Sequence, residues 1–179
     1  MPRLSRFFFL AGLLAAALVL AGCGESAPET LAAPEPIASG DSCHVCGMTV
    51  AAHPGPKGEA FMSADARALK FCSTAELLTF LRQPENEAQL SHAYVHDMGA
   101  TDWNSPADEA FIRAREAVYV LGHSRRGSMG HTLAPFADKN AAEAFIKDHG
   151  GKIVGFDDIT LEQLANLGGG ATPSHTTSR

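Results

Sequence analysis

The longest apolar run comes first. Residues 7–21 form 15 consecutive positions without a polar side chain, preceded by Arg3 and Arg6. A run of that length with a basic flank reads as a secretory signal and is too short to be a mature membrane-spanning anchor. Over residues 25–40 apolar periodicity vanishes and Ala, Pro, Glu and Ser dominate, which predicts a flexible tether. Residues 168–179 are Gly/Thr/Ser-rich and read as a disordered tail. The body expected between them, residues 41–167, suffices for one compact domain or two small ones.

Within that body one apolar pattern occurs twice. Leu77, Phe80 and Leu81 fall at i, i+3 and i+4, as do Ala141, Ala144 and Phe145, so each set forms one stripe of a short amphipathic helix. The spacing predicts helices over residues 73–82, 138–148 and 160–167. Ser73 with Glu76 reads as a capping box, Asp138 as the second N-cap, and Gly150-Gly151 as a stop. Strands are predicted over 49–53, 59–62, 68–71 and 93–98, then over 117–122, 132–136 and 152–156. The stretch from Phe71 to Phe80 aligns with that from Phe136 to Phe145, each with a cap residue two places after its first Phe. The expected fold class is α+β: two pseudo-duplicated β-β-α-β half-domains, 41–102 and 103–167, joined near residues 99–106. Trp103, with Tyr94, Tyr119 and the paired phenylalanines, is expected to close the interface between them.

The signal ends in Leu20-Ala21-Gly22-Cys23, which resembles a bacterial lipobox. That implies cleavage before Cys23 and acylation there, so that residues 1–22 are a signal peptide and residues 23–40 a lipidated tether. Several acyl chains anchor a protein durably. Gly24 stands where an inner-membrane retention signal carries Asp, which points to the outer membrane, on its periplasmic side. Removing residues 1–22 takes two of the 14 basic residues and none of the 20 acidic ones, leaving a formal charge of 12 − 20 = −8. Such a surface disfavours nucleic acid and favours cations. Three cysteines remain, Cys43, Cys46 and Cys72, and an odd number argues against a pure disulfide scaffold.

Cys43-His44-Val45-Cys46-Gly47-Met48 places three sulfur atoms in six residues. A redox Cys-x-x-Cys pair needs a helix start, whereas Gly47 and then His53-Pro54-Gly55-Pro56 follow here. Haem attachment needs His directly after the second cysteine, where Gly47 stands. Zinc needs four Cys or His ligands, and only isolated Cys72 and scattered histidines are available. Copper(I) accepts two to four soft ligands and tolerates thioethers. Met48 can turn toward the same point if Gly47 supplies a turn. Met129 lies between Gly127 and Gly130 in a predicted loop over 124–131; its two readings are a gap-filling core residue and, beside the cysteines, a ligand. Met62 and Met98 fall in predicted strands and read as core, and Cys72 as a small buried hydrophobe. His92, His96, His123 and His149 share no ligand spacing and read as surface or satisfied histidines. No carboxylate pair, phosphate loop or basic aromatic patch emerges.

Together, Cys43-x-x-Cys46-Gly47-Met48, Tyr94-Val95-His96-Asp97-Met98 with Trp103, Ala117-Val118-Tyr119-Val120, Ser128-Met129-Gly130, and Ala144-Phe145 followed by His149-Gly150-Gly151 resemble the NosL family, copper-binding lipoproteins accessory to nitrous oxide reductase. The resemblance runs from the lipobox to Leu167. It implies a protein without catalytic activity that binds copper(I) and delivers it to a membrane-associated maturation complex with periplasmic and transporter components. It implies Cys46 and Met129 as the first ligands, then Met48, with Cys43 in a looser part of the pattern; His44 and His131 neighbour the two motifs and read either as solvated loop histidines or as ligands that complete the shell. The implied fold is two β-β-α-β domains similar to those of alkylmercury lyase. A thiol oxidoreductase or lyase-like enzyme using Cys43 and Cys46, and a zinc-binding structural module, remain as alternatives; a monomer and a homodimer are both open.

Overall fold

Two antiparallel sheets are assembled by the same order of steps in the computed structural model, which describes residues 31–65 and 67–167. The signal peptide, Cys23 and the tail from 168 onward lie outside the described residues. In the first sheet, β1 (Gly58–Met62) pairs along one edge with β2 (Leu69–Phe71). The chain then passes through α1 (Thr74–Leu81) and the short α2 (Pro84–Glu87), and β3 (Leu90–His96) takes the other edge of β1. A further strand, β4 (Phe111–Arg113), extends the sheet beyond β3. In the second sheet β5 (Val118–Leu121) is central. A tight hairpin of β6 (Arg126–Gly127) and β7 (Gly130–His131) intervenes before β8 (Ala134–Phe136) pairs with one edge of β5. After α3 (Lys139–His149), β9 (Lys152–Gly155) takes the other edge, and α4 (Leu161–Ala165) follows. The orders β2-β1-β3 and β8-β5-β9 correspond strand for strand.

The helices start where side chains can satisfy their free N–H groups. Ser73 Oγ accepts from Glu76 N at 3.2 Å, Asp138 Oδ1 from Asn140 N at 3.2 Å, and Thr160 Oγ1 from Gln163 N at 3.2 Å. α1 buries Leu77, Leu78 and Leu81 completely against the first sheet. Its close seat needs Gly58, because a Cβ there would lie 2.5 Å from Leu77 Cδ2. The same apolar cluster continues through Ala117, Tyr119, Leu133, Phe156, Ile159 and Leu164, so one core joins both sheets. Each fully buried Leu or Phe contributes about 1.5–3 kcal/mol to it. A smaller cluster under α3 gathers Trp103, Val120, Ala134, Phe136 and Ala142.

Several expectations need correction. Residues 49–53 do not form a strand: Val50–Ala52 is a 3-10 turn, and only Val50 of its residues is buried, so the alternation that would hold a strand is missing. β4 was not foreseen, and 124–131 is a hairpin rather than an open loop. Residues 32–40, expected as tether, lie along the first sheet. Ala32 O accepts from Tyr94 Oη at 2.8 Å, Glu35 N donates to Glu59 Oε2 at 2.9 Å, and Ile37 N donates to Asp108 Oδ2 at 3.1 Å. Partners that distant residues supply leave no trace in local composition. Tyr94 therefore faces this strap, whereas Tyr119 sits in the shared core with its hydroxyl donating to Ala114 O at 2.6 Å.

Candidate metal centre

The six residues from Cys43 to Met48 close on themselves. Cys43 N donates to Met48 O at 2.8 Å and Gly47 N to Cys43 O at 2.9 Å. Gly47 has φ +73°, a conformation that costs a residue with a Cβ more than glycine. The turn is fastened to the edge of β2 by His44 N donating to Lys70 O at 2.8 Å. β2 ends at Phe71, so Cys72 is delivered to the junction with α1, and Glu76 projects from the first helical turn toward the same point.

Four donor atoms meet there. One each from Cys43, Cys46, Cys72 and Glu76 all lie within 4.8 Å of one another, the one such group among the described His, Cys, Asp and Glu residues. Cys72 Sγ donates to Glu76 Oε2 at 2.6 Å and Cys43 Sγ to the same oxygen at 3.4 Å, while Cys46 Sγ lies 3.6 Å from Cys72 Sγ. Cys43 and Cys72 are buried and Cys46 is exposed, which opens one side of the group to solvent. Burial, reinforced by the Glu76 carboxylate, pushes the Cys72 thiol well above its ordinary range. Cys46 is pushed up as well, first by lost hydration, with Glu76 and Cys43 adding to it and the Met48 N–H opposing it. A nucleophilic redox cysteine needs the opposite shift. The protons stay on sulfur until a cation displaces them, so metal binding here releases protons.

The second sheet reaches this centre through its hairpin. Trp103 accepts Gly55 N on its carbonyl at 2.7 Å and donates Nε1 to Arg126 O at 2.9 Å. Gly55 has φ +87°, and a Cβ there would stand 2.8 Å from Gly127 Cα, so the two backbones touch. Thr132 Oγ1 accepts Ala75 N at 3.3 Å, and Ser128 Oγ donates to the Cys72 carbonyl at 2.6 Å. Behind them sits Lys57, only 2 % exposed, whose Nζ donates to His53 O at 2.6 Å, Pro54 O at 3.1 Å, Cys72 O at 3.2 Å and Ser128 Oγ at 3.2 Å. Burial brings its ammonium down to about 8, against the pull of Cys72, Cys43 and Glu76.

Of the residues expected from sequence, Cys43 and Cys46 enter the group. Met48 is half-buried in the same turn, and Met129 is exposed at the hairpin tip, next to the Ser128 that bonds Cys72. His131, in β7, lies outside the donor group, and so does His44 of the Cys43–Met48 turn, whose ring packs edge-on against Phe71 and Phe80. Cys72 is indeed buried, yet its sulfur belongs to the centre. The capping box fails in one half, because the Glu76 carboxylate turns to the thiols instead of back to Ser73. The buried histidines also depart from expectation. His96 Nδ1 accepts from Lys57 N at 3.1 Å but its Nε2 has no partner, and His123, wedged between Trp103 and Phe145, has none on either nitrogen among the described residues.

The family model described as NosL matches residues 34–164. The copper-binding lipoprotein NosL of Stutzerimonas stutzeri is 43% identical over 173 residues, covering 92% of this chain and 90% of that protein. The protein of the same name from Achromobacter cycloclastes is 36% identical over 158 residues, covering 87% and 80%. The crystal structure of the copper chaperone NosL from Shewanella denitrificans superposes with a TM-score of 0.71 at 43% identity, covering 76% of this chain and 99% of that one. The mixed α/β architecture of small sheets and few helices is similar to that structure.

Proposed function

The chain belongs to the NosL family, and on that premise we propose that it is an exported, lipid-anchored carrier of copper(I) that delivers the ion for assembly of the copper centres of nitrous oxide reductase. The observation that carries the reading is the set of three thiols and one carboxylate within 4.8 Å, open on the Cys46 side. Soft thiolates favour copper in its +1 state, and the thioethers of Met48 and Met129 are donors that zinc scarcely uses. The ligands are assigned as Cys46 and Cys72, with Cys43, Met48 and Met129 completing the shell and Glu76 receiving protons or binding the ion; His131 stays outside it.

Delivery needs a face on which a partner can settle. Val45 and Met129, 54% and 56% exposed, are two of the three large exposed hydrophobic side chains among the described residues, and both neighbour the thiols in sequence or through Ser128. The partner is the periplasmic and transporter part of the maturation machinery, reached from a membrane anchor at Cys23. The orders β2-β1-β3 and β8-β5-β9 support a duplication of a three-stranded unit within 41–102 and 103–167, although β4 of the second range pairs with the first sheet; a likeness of each unit to an alkylmercury lyase domain is proposed with it. The rise in the Cys46 and Cys72 thiols disfavours the oxidoreductase and lyase alternatives.

The test is a titration of the reduced protein with copper(I) against a competing chelator. Tight one-to-one binding that iodoacetamide abolishes supports the reading; binding left intact after all three thiols are blocked overturns it. Mass spectrometry of membrane extracts should find acylated Cys23, and an unprocessed chain would refute the anchor.

A further inference from the structure

We infer that Lys57 is a positioning residue of the thiol centre, holding Cys72 and the Met129 hairpin in place and supplying the positive charge that offsets a metal–thiolate complex. The inference rests on the copper-binding reading above.

A lysine is almost never buried without a charged partner. Lys57 is 2 % exposed, yet none of the ion pairs among the described residues includes it, and all four of its acceptors are neutral oxygens. An ammonium held in this way costs more than an aliphatic chain of the same length. The negative charge that would offset it belongs to the centre it backs: Cys72, whose carbonyl accepts from Lys57 Nζ at 3.2 Å, and Glu76, whose Oε2 accepts from the Cys72 thiol at 2.6 Å. Three thiolates around one copper(I) carry two net negative charges, which a fixed ammonium in a poorly hydrated site stabilises more than water would.

The bonds of Lys57 also tie the first sheet to the β6–β7 hairpin. From the residue just before β1 it reaches the carbonyl of Cys72 and the hydroxyl of Ser128, and Ser128 in turn donates to that same carbonyl. The triangle ties the backbone of one thiol to the hairpin that carries Met129. Its geometry is set before the ion arrives, as a support for metal ligands requires.

The experiment uses the reduced mature protein and copper(I) in chelator competition. Lys57→Met should weaken binding about tenfold or more, the range seen when outer-shell support of a metal ligand is removed. Lys57→Arg should recover most of the loss. Ser128→Ala, which opens the triangle and keeps the charge, should cost less. In a Glu76→Gln background, where the centre holds one negative charge fewer, the loss from Lys57→Met should shrink. A lysine that only supports the fold would lower the melting temperature and leave the two losses additive. Equal affinities of wild type and Lys57→Met, or strict additivity, overturn the inference. If Lys57→Met does not fold, the same cycle run with Lys57→Gln decides on the same criterion. Failure of the wild type to bind copper(I) would instead overturn the functional reading.

Discussion

The sulfurs of Cys46 and Cys72 lie 3.6 Å apart although 26 residues separate them. Metal–sulfur bonds of about 2.3 Å in a trigonal or tetrahedral centre place sulfurs about 3.8–4 Å apart, so this pair can take an ion with little movement. Cys43 Sγ instead donates to the Glu76 carboxylate at 3.4 Å. Cys46→Ser and Cys72→Ser should therefore each weaken copper(I) binding at least about tenfold, about 1.4 kcal/mol, and more than Cys43→Ser does. Chelator competition on the three variants checks the order, and an unaffected Cys72→Ser would remove Cys72 from the site.

Cys72 shows what the sequence carried and where it was silent. The alignment of Phe71 to Phe80 with Phe136 to Phe145 predicts both helices, and the two phenylalanine pairs meet at the same ring separation, 5.2 Å. At two aligned positions the first stretch has Cys72 and Glu76 where the second has Ala137 and Ala141. Thiol and carboxylate at positions where the matching stretch has alanine point to a site, which the reading of Cys72 as core and Glu76 as a cap does not reach. The Cys43 to Met48 motif is legible from its three sulfurs in six residues and Met129 from its glycine neighbours, but the hairpin that carries Met129 is not. The hydrogen bonds of the 32–40 strap were not, because Glu59, Tyr94 and Asp108 supply the partners from far along the chain.

The shared core makes a prediction about cooperativity. Leu77 is fully buried in a cluster that also holds Tyr119, Phe156 and Leu164 from the second sheet and its flanks. Leu77→Ala should destabilise the protein by about 2–5 kcal/mol. Because the same side chains hold both sheets, unfolding should remain one transition by far-UV and near-UV circular dichroism. Two separated transitions would show that the units fold independently.

Glu59 makes stability depend on pH. It is fully buried, its Oε1 has no partner among the described residues, and burial pushes its carboxyl up to about 7 from an ordinary 4.5. Between those values the folded chain keeps a proton that the unfolded chain has released. Its contribution is complete below 4.5 and is lost as pH rises through about 7. Glu59→Gln still offers an acceptor to Glu35 N and cannot titrate, so it should gain stability over wild type as pH rises. His96 and His123 act in the opposite sense: burial lowers them to about 3 and about 4 from 6.5, so their contribution is lost as pH falls below 6.5. Urea unfolding from about pH 5 to about pH 8 tests this, and parallel curves for wild type and Glu59→Gln would refute it.

Met129 decides whether the site bridges the two sheets. The side chain is 56% exposed at the tip of a hairpin whose backbone is already fixed by Gly55, Trp103 and Ser128. An exposed position of this kind changes stability by about 0.5 kcal/mol or less when truncated, so the apo form of Met129→Ala should melt close to wild type. Copper(I) bound only by the folded chain raises the melting temperature by mass action. If the thioether is a ligand, Met129→Ala loses most of that rise, and the protection of the hairpin amides against hydrogen exchange that copper(I) brings is lost with it. If the apo variant is destabilised by about 2 kcal/mol or more, as a buried methionine would be, and copper(I) still raises its melting temperature by the wild-type amount, Met129 is a packing residue and the bridge does not exist.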